Sequence, residues 1–506
     1  MKPNVIYILA DDMGIGDVAC LDQRCAWPTP HLDRLAARGM RFEDAHSSSA
    51  VCTPSRYSIL TGRYAWRSWL KQGVTNGASA GLLRPGMPTV ATMLRDAGYR
   101  TNCIGKWHMG WEWAQKAGEC QLSLADRRRG RYDGVNQQWI DYAAPIRGGP
   151  LAHGFDEFFG IAASLDMPPF VYVDGDQPQG PVDAWGTAKD FFRAGPRQRD
   201  LQPHQVLGEL TRRSCASISR QHSEQPFFLY LGLTAPHTPI APAPEFLGAS
   251  GVSTYGDFCM EVDHRVGQIM QAVADAGLDE NTLIIFTSDN GCSGHQAECA
   301  LLEQHFGHFS SAHYRGYKSD IWDGGHRVPF LVRWPEAVAA GSVCDEPMGI
   351  FDLYATLAAI IGHDLCPEEA VDSCSFLPAL QGQPFTRAAE LVHHSIDGRF
   401  ALRAGPWKLC RCPGSGGWTL PDRVAEEAGL PPVQLYDFHD DRGEKINRST
   451  EQPALVNDLT QRLHRLVCSG SSRPDAVSTN DPDISLEDWW QIDWRAELPA
   501  AMVEDD

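Results

Sequence analysis

The sequence predicts an α/β protein: a large, mostly parallel sheet sandwiched by helices, followed by a small C-terminal α+β domain. Three observations lead there. Short apolar runs rich in β-branched and aromatic residues recur through roughly the first two thirds of the chain. Helical patterns separate them, and this alternation builds parallel sheets. After about residue 385 the runs shorten, with Gly and Pro between them.

Residues 4–9, Asn-Val-Ile-Tyr-Ile-Leu, are apolar almost throughout, as in a strand buried on both faces. Residues 29–38 follow as a helix, with Leu32, Leu35 and Ala36 on one face and Gly39 as the stop. Further buried strands are expected at 227–233, 283–287 and 329–332, and helices at 89–97 and 258–276. Loops leaving the C-terminal ends of such strands build the site, so polar residues directly after apolar runs are the candidates. In the small domain, strands are expected at 390–394, 400–403, 407–410 and 434–436, with a helix at 453–467. The expected division is a catalytic domain at 1–384, the small domain at 385–468 and an acidic tail at 469–506. Trp489, Trp490 and Trp494 point to a tail packed on the body.

Composition excludes several classes. The 506 residues carry 44 Lys plus Arg against 64 Asp plus Glu, a net charge of −20, which argues against nucleic-acid partners and anionic membrane surfaces. Apolar content of 43% with 21% charge describes a folded chain. No apolar run reaches the roughly 18 residues of a membrane span. Only Met1-Lys2-Pro3 precede the first apolar run, which leaves no room for a signal peptide. A cytoplasmic protein is therefore expected if the sequence is complete, and a periplasmic or secreted one if a leader has been removed. The 15 cysteines are scattered and odd in number, so most are expected to be buried thiols.

Asp11-Asp12 directly follows the first strand, and Ser288-Asp289-Asn290-Gly291 directly follows the strand at 283–287. Carboxylates and an amide carbonyl from two strand ends make an oxygen-rich site for a hard divalent cation, Ca²⁺ above all. Both motifs are also ordinary turn formers. In the segment 52–63, Cys52 precedes a proline turn and a helix-compatible run with Ser55 and Arg56 in its first turn. That arrangement describes an activated thiolate or a buried cysteine at a helix start, and residue types alone leave both open.

The twelve residues 52–63 match the C-x-P-S-R-x-x-x-L-T-G-R signature, and through them the chain resembles the type I, formylglycine-dependent sulfatases. This arylsulfatase A-like family belongs to the alkaline phosphatase superfamily. Residues 98–108, Gly-Tyr-Arg-Thr-Asn-Cys-Ile-Gly-Lys-Trp-His, resemble its second signature. Asp11-Asp12, Pro236-His237, Ser288–Gly291, and Lys318 with the block from Asp323 to Pro329 follow in family order. Residues 404–409 and 434–437 resemble its small domain, which carries an antiparallel sheet.

The resemblance implies an alkaline phosphatase-like fold and hydrolysis of sulfate esters to an alcohol and inorganic sulfate. It implies that a formylglycine-generating enzyme oxidises Cys52 to 3-oxoalanine, whose hydrated aldehyde is the nucleophile. Loss of a proton from the second hydroxyl of that geminal diol then releases sulfate by C–O cleavage. By the same resemblance Asp11, Asp12, Asp289 and Asn290, with the residue at Cys52, hold one Ca²⁺. Arg56 and Lys106 hold the diolate, and His108 takes the proton of the second hydroxyl. His237 and Lys318 bind sulfate and protonate the leaving oxygen. Ser164 resembles a serine on the sulfate side. Asp323 stands where many members have Glu, in a block that shapes the entry to a strand.

Two features lie outside the shared pattern. Arg127, Arg128, Arg129 and Arg131 form either a solvated face or a contact for an anionic part of the substrate. Cys292, His295, Cys299, His305, His308 and His313 fit no zinc spacing well and read as a substrate-facing loop. The expected substrate is a sulfated small molecule or saccharide, with aryl sulfates as probes. A related phosphonate monoester or phosphodiester hydrolase is disfavoured because Asp12 and Asn290 are kept. A non-catalytic binder of sulfated glycans is disfavoured because no nucleophile or metal ligand is missing.

Overall fold

All seven residues of Asn4–Ala10 are buried, because this strand, β1, lies in the interior of a ten-stranded sheet covered on both faces. The computed structural model describes residues 2–117, 124, 128, 137, 139–221 and 225–481. In chain order the next strands are β2 (Met40–Phe42), β3 (Ala45–His46), β4 (Arg100–Lys106), β5 (Glu157–Ile161), β6 (Tyr172–Asp174), β7 (Gln177–Pro178), β8 (Ala184–Gly186) and β9 (Gly195–Arg197). They are followed by β10 (Phe227–Gly232), β11 (Thr282–Ser288), β12 (Phe330–Arg333), β13 (Ser342–Cys344) and β14 (Met348–Gly349). The last four are β15 (Leu391–His394), β16 (Phe400–Ala404), β17 (Trp407–Cys410) and β18 (Gln434–Asp437).

The large sheet runs β13-β2-β12-β11-β1-β10-β4-β5-β6-β7. Its centre, β11-β1-β10-β4-β5, is parallel, as the sequence predicts. Both flanks turn antiparallel, through β12 on one side and β6 and β7 on the other. Alternate residues of β1 feed two cores. Val5, Tyr7 and Leu9 pack with Tyr57 and Leu60 of α2 (Cys52–Thr61) and Leu94 of α3 (Val90–Asp96). Ile6 and Ile8 pack with Leu32 and Leu35 of α1 (Pro30–Ala37) and with the helices Pro203–Ser219 and Thr254–Asp275.

The small sheet β15-β16-β17-β18 is antiparallel throughout. Leu459, Leu463 and Val467 of the helix Pro453–Cys468 cover it, sharing a core with Tyr64 and Trp66 just after α2. A buried ionic joint links the sheets. Lys408 of β17 donates to Asp323 Oδ1 at 2.8 Å and lies 2.8 Å from Glu444 Oε1, while Arg327 donates to Asp323 Oδ2 at 2.9 Å. Asp323 thus joins the entry of β12 to the small sheet. Farther on, Ser472 N donates to Asp372 Oδ1 at 2.9 Å, and Arg67 donates to Asn480 Oδ1 at 3.0 Å. Trp489, Trp490 and Trp494 lie outside the described residues. Among those residues no helix is long and apolar enough to cross a membrane.

Three glycines sit side by side in β5, β4 and β10: Gly160, Gly105 and Gly232. Gly105 has φ +110°, and a Cβ there would lie 1.8 Å from the Gly232 carbonyl oxygen. No L side chain fits without parting the strands just before Lys106. Gly105→Ala is therefore expected to cost about 3 kcal/mol or more, read as a lower urea midpoint. A wild-type midpoint would mean that β4 does not need this close approach.

Candidate active site

Ala10 and Ser288 are register partners at the ends of β1 and β11, so the residues after them emerge side by side. Asp289 N donates to Ala10 O at 3.2 Å, and Asp11 N to Ala235 O at 3.0 Å. Asp12 then turns the chain with φ +64°, a left-handed conformation that Asp tolerates better than most residues. Ser288 holds this turn, accepting from Met13 N at 2.9 Å and donating to Asn290 O at 2.9 Å.

Helix α2 delivers Cys52 as its first residue, with Sγ 3.5 Å from Asp11 Oδ1 and 3.8 Å from Asp12 Oδ1. One turn on, Arg56 grips Asp289 Oδ2 through Nε and Nη2, each at 2.8 Å, and donates to Lys106 O at 3.0 Å. Lys106, the last residue of β4, donates to both Asp11 oxygens at 2.8 and 2.7 Å. Lys318 donates to Asp12 Oδ2 at 2.7 Å, and Asn290 Nδ2 to Asp12 Oδ1 at 2.7 Å. His237 Nε2 lies 3.6 Å from Asp12 Oδ2, beside a narrow pocket lined by Pro236, Thr238, Ser293 and Gln296.

Two expected residues stand apart from this web. His108 Nε2 meets Thr75 O at 2.7 Å, and its Nδ1 is buried without a partner. The imidazole therefore donates from Nε2 and keeps a free lone pair on Nδ1. Ser164 follows β5; its hydroxyl is buried and unpartnered, and no hydrogen bond ties it to the carboxylates. Thr75 and Ser288 are functional neighbours that motif reading did not single out. Ser288 stood inside a quoted tetrapeptide, whereas nothing near Thr75 in the sequence marks it.

Electrostatics divides these groups. Burial pushes the Asp11 carboxyl up, but Lys106, then His237 and Arg56, more than offset it and hold it well below the usual range. Burial leaves Asp289 raised despite Arg56, with repulsion from Asp11 and Asp12 adding to it. Burial opposes the Lys318 charge, yet Asp12 beside it keeps the ammonium protonated. Burial, then Lys106 and Arg56, drive His108 well below its usual value, so the ring is neutral. Cys52 is pushed far up by burial and then by Asp289. Both effects favour the thiol form over an activated thiolate.

The donors suit a hard cation. Asp11, Asp12, Cys52 and His237 offer ligand atoms all within 4.8 Å of one another. Asn290 Oδ1 is buried with no hydrogen-bond partner, an acceptor left for a positive ligand. The repulsion that raises Asp289 is what a divalent ion relieves. The cysteine–histidine segment behaves differently. The Cys292 and Cys299 thiols lie 3.6 Å apart, and His308 is taken up by Asp17 at 2.9 Å. Among the described residues these six side chains do not gather into one metal-ligating group, whereas Ser293 and Gln296 of the same segment line the pocket beside His237. Of the arginine cluster, Arg128 lies with its guanidinium 5.6 Å from the Trp69 ring centroid; Arg127, Arg129 and Arg131 lie outside the described residues.

Comparison with known proteins bears on this geometry. A sequence-family profile described as Sulfatase matches residues 3–363. The chain is 32% identical over 507 residues to the N-acetylgalactosamine-6-O-sulfatase of Bacteroides thetaiotaomicron, covering 91% of this chain and 92% of that protein. It is 32% identical over 525 residues to the steryl-sulfatase of Mus musculus, covering 88% of this chain and 78% of that protein. A solved structure described under the metabolism of multiple glycosaminoglycans by Bacteroides thetaiotaomicron superimposes with a TM-score of 0.78 at 30% identity. That match covers 92% of this chain and 99% of the other.

The Lys106–Asp11 pair is fully buried on both sides. Lys106→Met leaves a buried carboxylate without its ammonium and is expected to cost about 3–5 kcal/mol in metal-free protein. Urea unfolding in the presence of a chelator measures this. A change under about 1 kcal/mol would show that Arg56 alone carries Asp11.

Proposed function

The chain belongs to the sulfatase family of sulfuric ester hydrolases, and from that premise we propose that it removes sulfate from a sulfated saccharide at the cluster around Cys52. One observation carries the reading. Cys52, the ends of two parallel strands, and three cations from separate elements meet in one buried place. The relative that acts on N-acetylgalactosamine-6-O-sulfate by its name, and the structure tied to glycosaminoglycan metabolism, each align over nine tenths or more of both chains. They support a sulfated amino sugar as the substrate class.

Sulfatases generally depend on formylglycine and a metal. Here Asp11, Asp12, Asp289 and Asn290 would hold one Ca²⁺, with the residue at position 52 completing the set. The bound ion offsets the negative charge that a sulfate group brings among three carboxylates. Converted by a formylglycine-generating enzyme, position 52 supplies a hydrated aldehyde as nucleophile where the thiol now stands.

The remaining work falls to side chains already in place. Arg56 and Lys106, fixed on Asp289 and Asp11, hold the oxygen at position 52 close to the incoming sulfur. His108 is neutral with a free Nδ1, so it accepts a proton from a hydroxyl at position 52. Lys318 is protonated and, with His237, binds sulfate oxygens and delivers a proton to the leaving alkoxide. The position-52 oxygen would bond to sulfur as the S–OR bond breaks and the alcohol leaves protonated. Loss of the second hydroxyl's proton to His108 would then cleave the C–O bond, releasing sulfate and the aldehyde, to which water adds back. Ser164 has a free buried hydroxyl for the sulfate side.

Two measurements test this reading. Peptide mass spectrometry of active enzyme should find the Cys52 peptide about 18 Da lighter than the cysteine form, whereas sulfur oxidation would add mass. An unmodified Cys52 in fully active protein would falsify the assignment of the nucleophile. His237→Ala should lower kcat by about 10²–10⁴-fold on an alkyl or sugar sulfate. The loss should be much smaller on p-nitrophenyl sulfate, whose leaving group needs little protonation. Equal losses on both substrates would remove His237 from the acid role.

A further inference from the structure

Trp418 keeps 55% of its surface in water. A single surface tryptophan is ordinary, but the placing of this one is not. It lies on the loop 411–421 after β17, which folds back from the small sheet onto the segment carrying Lys318. Trp418 N donates to Ser319 Oγ at 3.0 Å, Thr419 N to Asp320 Oδ1 at 3.2 Å, and Ile321 N to Ser415 O at 2.7 Å. Ser319 directly follows Lys318, and its N–H donates to Ala50 O at 2.8 Å, two residues before Cys52. The contact is close: a Cβ at Gly417 would lie 2.5 Å from Ser319 O. The Trp418 backbone is thus anchored on the segment that carries Lys318, while its indole stays exposed to water.

A second loop, between β15 and β16, converges on the same place. Ile396 N donates to Ser319 O at 3.1 Å, and Asp397 N to Gly416 O at 3.3 Å. Asp397 is half-buried, and among the described residues its carboxylate has no side-chain hydrogen-bond partner. The nearby Arg399 is already taken by Asp422 at 2.7 Å. Burial, with Asp422 adding to it, lifts the Asp397 carboxyl to about 6, so near neutral pH it is an ionised acceptor.

A pyranose ring presents an apolar C–H face and a rim of hydroxyl donors. An exposed amphipathic indole and an unengaged carboxylate, on two loops joined by Asp397 N and Gly416 O and both resting on Ser319, match both. We propose that Trp418 and Asp397 form the saccharide subsite of this sulfatase, the indole stacking on a sugar ring and the carboxylate accepting from its hydroxyls. The assignment rests on the saccharide reading above, and it gives the small sheet a direct part in selecting the substrate.

The test is steady-state kinetics of the full-length active enzyme on 6-O-sulfated N-acetylgalactosamine and on p-nitrophenyl sulfate. Trp418→Ala should raise KM for the sugar sulfate by about tenfold, leaving its kcat and both constants for the aryl sulfate within about twofold. Trp418→Phe should recover most of the loss, because a ring face is restored. Asp397→Ala should raise KM for the sugar sulfate alone. An unchanged sugar KM in Trp418→Ala, or equal rises for both substrates, overturns the subsite; an unchanged sugar KM in Asp397→Ala removes Asp397 from it. Wild-type enzyme that cleaves the aryl sulfate but no sulfated saccharide overturns the saccharide reading, and the subsite falls with it.

Discussion

Charge balance at the ends of β1 and β11 is the constraint on which the rest depends. Asp11, Asp12 and Asp289 are almost wholly removed from water, and each is tied to a different cation: Lys106, Lys318 and Arg56. An unpaired charge in such a place is strongly destabilising. The three cations come from β4, the segment before β12, and α2. Satisfying the carboxylates therefore fixes three parts of the chain against one point of the sheet. Cys52 arrives there as a consequence, because α2 is oriented by Arg56 on its own first turns.

The small sheet belongs to the same construction. Ala50 N donates to His394 O at the end of β15, and Ser319 accepts from Ile396 just beyond it. Lys408 carries the ionic joint with Asp323 and Glu444 into β17. The loops around Cys52 and Lys318 thus rest on backbone supplied by residues 394–396, far along the chain from both. Asp323 keeps both of its oxygens engaged in that joint.

The legible parts of the sequence were those where one physical demand acts on consecutive residues. β1, β10 and β11 stood out because burial on both faces forces an unbroken apolar run. Asp11, Asp12, Asp289 and Asn290 stood out because they directly follow such runs. Strands of two or three residues at the sheet flanks, β6, β7 and β13, are too short to show a period. Strand order was hidden for another reason: parallel neighbours are set by crossovers, and no local pattern tells β1 that it lies between β10 and β11. The partner of His108, the carbonyl of Thr75, is a backbone atom and leaves no mark in residue type. The anchoring of Trp418 on Ser319 joins positions 99 residues apart.

The strand order also sets a timetable. During synthesis β1 has neither neighbour until residues 227–232 and 282–288 have been made, and Cys52, 1% exposed in the folded protein, has no enclosing wall before then. At about 5–20 residues per second, the stretch from Cys52 to Ser288 takes roughly 10–50 s to emerge. The maturation proposed for Cys52 would have that interval, while the segment around it is still an open peptide. Once β11 docks beside β1, the thiol lies behind Asp11, Asp12 and Arg56 and is out of reach of any macromolecule. The parallel topology that gathers the carboxylates thereby also closes the window in which another protein can reach Cys52.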